Sequence, residues 1–196
     1  MDIINAVSGA VVGAVVTLFI SEIFKGLAER KRSITALLVE LIHNLEACLG
    51  VLQNNAQLVS KWEKIKSTGE KMYDWWEILP LSESAWSVVV NTGLLARVRS
   101  EIIEPIARSY TLSRRADYMA KKIQFGRFDP EEAAQYTKRI YVAAEAIYAT
   151  LENVRERKRY VKYILDETTN ERASSVWNTN FQRWEKKIFK AERSAV

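Results

Sequence analysis

Residues 3–24 read IINAVSGAVVGAVVTLFISEIF, an apolar run with Glu22 as its one charged residue and no Lys or Arg. A bilayer core about 30 Å thick takes roughly 20 apolar residues in a helix, because lipid offers backbone groups no partner outside the segment. The stretch has that length, so it predicts a single membrane-spanning helix and thereby decides the architecture. A cleaved leader carries its positive charge ahead of the apolar run, whereas here Asp2 precedes it and Lys25, Arg30, Lys31 and Arg32 follow; the pattern is that of a retained anchor.

Those four cations also set the orientation. Basic residues flanking a span stay on the cytoplasmic side, which places the N-terminus outside and the following chain in the cytoplasm. Within the span, Gly9 and Gly13 form a GxxxG, and Ala6 and Ala10 widen its small-residue surface. Small residues let helix backbones approach closely where lipid supplies no hydrophobic drive, so the expected use is helix–helix association of copies.

The chain has 196 residues, enough for one anchor, residues 1–25, and one domain, 26–196, with a single core. The single Cys48 excludes an internal disulfide framework and suits a reducing compartment. The formal net charge is +5, and a basic excess beside a membrane points to anionic lipid headgroups at least as naturally as to nucleic acid.

Beyond the anchor every regular pattern is helical. Ser33 is placed to cap a helix in which Ile34, Leu37, Leu38, Leu41, Ile42, Leu45, Cys48, Leu49 and Leu52 recur at helical spacing, running to about Lys66 over roughly 50 Å. Ser67-Thr68-Gly69 ends it. The segment KMYDWWEILPLSESAW, residues 71–86, is aromatic and irregular. Tyr73, Trp75, Trp76 and Trp86 are candidate ligand or partner contacts, against the alternative of a loop plugging the end of the bundle. Ser82 predicts a short helix to Asn91, and Leu94 opens another through Gln124, with a kink or break at Pro105. Asp129-Pro130-Glu131-Glu132 is a helix start with an acid cap, Pro in first position and a capping-box Glu132. That helix extends to about Thr168. A last helix, about 173–192, carries Trp177, Phe181 and Trp184 on one stripe, for docking into the bundle, onto headgroups or into a partner's groove.

The predicted fold is therefore all-α: a single N-terminal transmembrane helix and an antiparallel cytoplasmic bundle of about four long helices plus one short. Strict up-and-down stacking brings the turn with Lys121, Lys122 and Arg127 back to the bilayer, completing a lipid-headgroup collar with Lys25, Arg30, Lys31 and Arg32.

Groups for chemistry are sparse. His43 is the only histidine, which with one cysteine leaves no His/Cys metal set. His43 and Cys48 are five residues apart and point to different sides of a helix. There is no phosphate-binding glycine loop and no nucleophile elbow, so neither an enzyme activity nor a cofactor is expected. Arg155, Lys158, Arg159 and Lys162 form a basic helical stripe, read as a solvated face in preference to a nucleic-acid surface. The functional expectation is a non-enzymatic, single-pass interaction or scaffold module that associates with itself or with a membrane-protein partner. The alternatives are a membrane-active effector or small channel-forming oligomer, and a ligand sensor using the Trp-rich loop 73–86.

Overall fold

The computed structural model describes the backbone of residues 2–93, 98–156 and 167–193, with side chains at 25–93, 98–154 and 175–189. The fold is all-α, with five helices and no strand among the described residues: α1 Asp2–Ile65, α2 Ser84–Asn91, α3 Ser100–Phe125, α4 Pro130–Glu156 and α5 Glu167–Arg193. The association residues Gly9, Gly13, Ala6 and Ala10 lie outside the described side chains. So do the stripe Arg155, Lys158, Arg159 and Lys162, and the predicted helix start at Leu94.

α1 is continuous through the junction between the apolar run and the core helix. Neither Gly26 nor Ser33 interrupts it; Ser33 donates its hydroxyl back to the Glu29 carbonyl at 2.9 Å, a bond made inside a helix and not at its start. The apolar stretch and the core helix are thus one element of 64 residues. Among the described residues, Lys25–Ile65 is long and apolar enough to cross a membrane, and its apolar window is 61% buried in the bundle. The leucines responsible are the periodic set read from sequence: Ile34, Leu37, Leu38, Leu41, Leu45, Cys48 and Leu52 all lie in the main core.

α4 packs against both α1 and α3, whereas α1 and α3 scarcely touch; α5 lies mainly on α1 and also meets α4. Cross-links give the directions. The Trp62 indole donates to Glu131 at 2.8 Å and Asn55 reaches Thr137 at 3.3 Å, so α1 and α4 are antiparallel. Tyr110 donates to the Leu37 carbonyl at 3.2 Å, and Gln124, at the other end of α3, donates to the Ile78 carbonyl at 3.3 Å, beside the Glu77 that Asn55 holds. α3 therefore runs parallel to α1.

This corrects the predicted stacking, and the cause is the segment between α1 and α2. Only its first part covers the bundle end, where Trp76 is buried against Val59, Ala133 and Ala134. Residues 70–83 run extended back down α1, so α3 starts near the beginning of the core and climbs. The turn with Lys121, Lys122 and Arg127 consequently lies at the Trp62 end, about 46 Å along α1 from Lys31 at 1.5 Å per residue. The basic set does not form one collar: Lys25, Arg30, Lys31 and Arg32 sit at one end, and the other three at the opposite one.

What holds the extended segment is a row of side chains gripping its backbone on both sides. Asn55, fully buried, donates to the Glu77 carbonyl at 2.7 Å and accepts the Glu77 N–H at 2.9 Å. Tyr136 accepts from Leu79 N–H at 3.1 Å and donates to its carbonyl at 2.8 Å. Asn44 does the same for Ser82, with both distances 2.8 Å. The spacing is matched: Asn44 to Asn55 is about 16 Å on a helix, and Glu77 to Ser82 is about 16 Å in extended chain. A segment without ladder partners thereby satisfies its backbone groups.

Glu40 completes the row. Its carboxylate accepts from the Ser82 hydroxyl, the Tyr110 hydroxyl at 2.7 Å, and the Ala85 and Trp86 amides at 3.1 and 3.3 Å. Ser82 is thus not the cap of α2. Its hydroxyl is given to Glu40, and the carboxylate from α1 caps the helix across the interface, favoured by the positive end of the dipole. Burial pushes the Glu40 carboxyl up, but the bonds from Ser82, Tyr110 and the two amides outweigh it and hold the group below its ordinary value.

Of the kink or break expected at Pro105, the break does not occur, and α3 runs through it. The Pro105 carbonyl accepts from Ser109 and from Thr150 of α4, both at 3.1 Å, which ties this turn to its neighbour. α4 starts as predicted, with the Asp129 carboxylate accepting the Glu131 N–H at 2.9 Å. Glu132 makes no capping box; it pairs with Lys122.

Candidate functional site at the distal aromatic tip

Three pieces meet at the far end of α1: its last turns, the start of the extended segment, and the α3–α4 turn. Gly69, at φ 72°, reverses the chain after Thr68 has closed the helix with N–H and hydroxyl bonds to the Ile65 carbonyl at 2.9 and 2.8 Å. Lys61 then pairs with Asp74 at 2.6 Å, fixing residues 73–75 over the helix end. On the other side, Gly126 is dictated by space, since a Cβ there would stand 2.7 Å from the Lys122 carbonyl oxygen. A side chain at that position would push the turn away from α3.

The two turns present aromatic rings to solvent. Trp75 is 91% exposed, Phe125 88% and Tyr73 86%, with Phe128 partly covered. Between them is a cleft of about 600 Å³ lined by Trp75, Trp76, Ile78, Leu79, Ile123 and Phe128. Large rings held outward on turns tied down by an ion pair and a tight glycine are unusual, because each forgoes roughly 2 kcal/mol or more of burial. Beneath them Trp76 is buried against Val59, Ala133 and Ala134, and its indole nitrogen is buried without a hydrogen-bond partner. The Trp62 bond anchors Glu131, whose carboxyl is held below its ordinary value by the Trp62 and Gln135 side chains.

The aromatics singled out in the sequence thus divide. Tyr73 and Trp75 are exposed at the tip and Trp76 forms its floor. Trp86 does not join them: it sits on α2 beside Glu40, its ring stacked on Tyr110 with centroids 5.0 Å apart. No single pocket contains all four. Trp177 and Trp184 are buried, docking α5 into the bundle, with Trp177 5.5 Å from Tyr141 and 6.1 Å from Phe181.

Sequence reading did not pick out Phe125 and Phe128, which flank a glycine and looked only like a helix stop. It also passed over Glu40, Asn44 and Asn55. Their signal was present as polar residues on or beside the apolar stripe of α1, where a buried polar group needs a partner.

His43 is exposed and Cys48 fully buried on the same helix, with burial pushing the Cys48 thiol up to about 12. Among the described residues no group of three or more His, Cys, Asp or Glu side chains is placed to hold a metal ion. No protein-family model, no curated protein and no solved structure matches the chain.

Proposed function

We propose that the chain is a single-pass, membrane-tethered helical interaction module, without a catalytic centre, that self-associates and presents its aromatic tip to a protein partner. The observation that supports this reading is the continuity of α1 from Asp2 to Ile65. With residues 3–24 in the bilayer, the same helix forms the centre of the bundle and carries the tip about 60 Å from the end of the apolar run. Lys25, Arg30, Lys31 and Arg32 then stand next to the headgroups and keep the bundle cytoplasmic. The tip has the character of a contact surface: exposed rings around an apolar cleft, the residue types that dominate binding energy at interfaces.

Three measurements test it. Carbonate extraction of native membranes leaves the protein in the pellet if residues 3–24 span; release into the supernatant refutes the tether. Crosslinking in those membranes yields a dimer or larger species that Gly9→Leu/Gly13→Leu reduces, and recovery of monomer alone sinks self-association. Trp75→Ser/Phe125→Ser abolishes capture of the partner while leaving crosslinking unchanged; retention of every captured protein by this variant refutes the tip as the contact.

A further inference from the structure

A second cleft lies between α1 and α5. It holds about 480 Å³ and is bordered by Gln53, Asn54 and Gln57 of α1 and by Asn180, Arg183 and Lys187 of α5, with the buried Trp184 behind them. Four carboxamides and two cations make it a polar, solvent-open cleft over a helix interface closed by aromatic and aliphatic contacts: Gln53, Asn54, Gln57 and Arg183 are exposed, and Asn180 and Lys187 half-buried.

The cations are the telling feature. Arg183 and Lys187 are four residues apart on α5 and so share one face. Among the described residues neither makes an ion pair. The Glu77 carboxylate near the rim is already engaged by the Asn54 amide. Burial, and after it the neighbouring Arg183 charge, lower the Lys187 pKa.

We infer that this cleft binds a small phosphomonoester, whose dianion is gripped by Arg183 and Lys187 and whose polar body is read by the carboxamides of Gln53, Gln57, Asn54 and Asn180. Two adjacent cations match a doubly charged group better than a carboxylate, and the guanidinium fork matches phosphate oxygens bidentately. The carboxamides supply acceptors and donors together: Asn180 uses its amino group on the Val176 carbonyl at 2.9 Å and keeps its oxygen, while Gln53 and Gln57 carry both. That array suits hydroxyls or a nucleobase edge. The volume lies within the range of small-ligand sites. A lipid headgroup has the same phosphate chemistry, but Gln53 is about 44 Å along α1 from Phe24, beyond the reach of the protein's own bilayer. The ligand is therefore a soluble one. Since it would touch α1 and α5 at once, its binding fastens α5 to the bundle.

The test uses the full chain in phosphatidylcholine nanodiscs, titrated calorimetrically with AMP, glucose 6-phosphate and inorganic phosphate, and with adenosine and glucose as uncharged counterparts. At least one phosphomonoester binds once per chain, at least 10-fold tighter than inorganic phosphate and than its uncharged counterpart. Arg183→Gln/Lys187→Gln weakens that binding 10-fold or more. Gln57→Glu, which places a carboxylate in the cleft without touching α5, weakens it similarly, and unchanged tryptophan emission shows both variants folded. The proposal is overturned if no phosphomonoester binds, if binding is the same in both variants, or if a response occurs only after phosphatidylglycerol is added to the discs, which would make lipid the source.

Discussion

Replacing Glu40 with Ala should detach α2 without dissolving the bundle, and its cost can be worked from the contacts. Glu40 is 8% exposed, and its carboxylate accepts bonds from Ser82, Tyr110, Ala85 and Trp86. A hydrogen bond to a charged group contributes about 1.5–3 kcal/mol, and a buried donor left alone costs about 1–3 kcal/mol. Tyr110 keeps the Leu37 carbonyl and Ser82 can turn to water, so those two losses are partial. The amides of Ala85 and Trp86 lose their cap, about 1 kcal/mol by comparison with other caps. Against these stands the relief of desolvating a carboxylate, which lessens the net effect. The total is about 3 kcal/mol for Glu40→Ala and about 2 kcal/mol for Glu40→Gln, which keeps the shape but turns an amino group toward donors. Urea unfolding measures the loss, and hydrogen exchange should show protection falling in residues 84–91 first while Leu37 to Leu52 remain protected. The pH dependence follows from the depressed carboxyl: the stabilisation is complete above the ordinary value of 4.5 and disappears as pH falls through the lower folded-state value. The advantage of the native chain over Glu40→Gln is accordingly flat from pH 8 to about 5 and shrinks below that. A loss under about 0.5 kcal/mol with unaltered exchange in α2 would refute the carboxylate as its cap.

Three further outcomes test other parts of the scaffold. Asn55→Leu removes both bonds to Glu77 and orphans its backbone groups, lowering stability by about 3 kcal/mol in urea titrations; Gln53→Leu, an exposed neighbour, changes it by less than about 0.5 kcal/mol. Gly126→Ala forces the α3–α4 turn off the Lys122 carbonyl and costs about 1–3 kcal/mol, read by thermal unfolding, with loss of protection in the turn. Cys48, buried and with its thiol pushed up to about 12, reacts with a thiol reagent at pH 8 only as fast as the core opens, so labelling in native buffer is slow and rises with urea; immediate stoichiometric labelling contradicts its placement.

Much of the fold was legible in the order of residues, because helix periodicity is a local property. The leucine stripe of α1, the Asp129-Pro130 start of α4 and the aromatic stripe of α5 each form where spacing places them, and side chains three and four apart share a face whatever surrounds them. Helix continuity was legible in outline, since only Gly26 and Ser33 stand between the apolar run and the leucine stripe, and neither ends the helix. The path of the chain was not legible at all. Residues 70–83 contain no period to follow, and their direction is set by Asn55, Tyr136 and Asn44, which lie far from them in sequence and grip backbone, not side chains. Reversing that one segment moved Lys121, Lys122 and Arg127 from the bilayer end to the tip and separated Trp86 from Trp75.

By itself, then, the sequence determined an all-α chain with an apolar N-terminal helix and named the residues of its core, since hydrophobic spacing is written residue by residue. Tertiary structure alone decided which aromatics are buried and which stand in solvent, and that Arg183 and Lys187 face Gln53 and Gln57. Burial and juxtaposition depend on which helices lie side by side. Here that is settled by polar clamps on an extended segment, a kind of contact that leaves no periodic trace in the residues it holds.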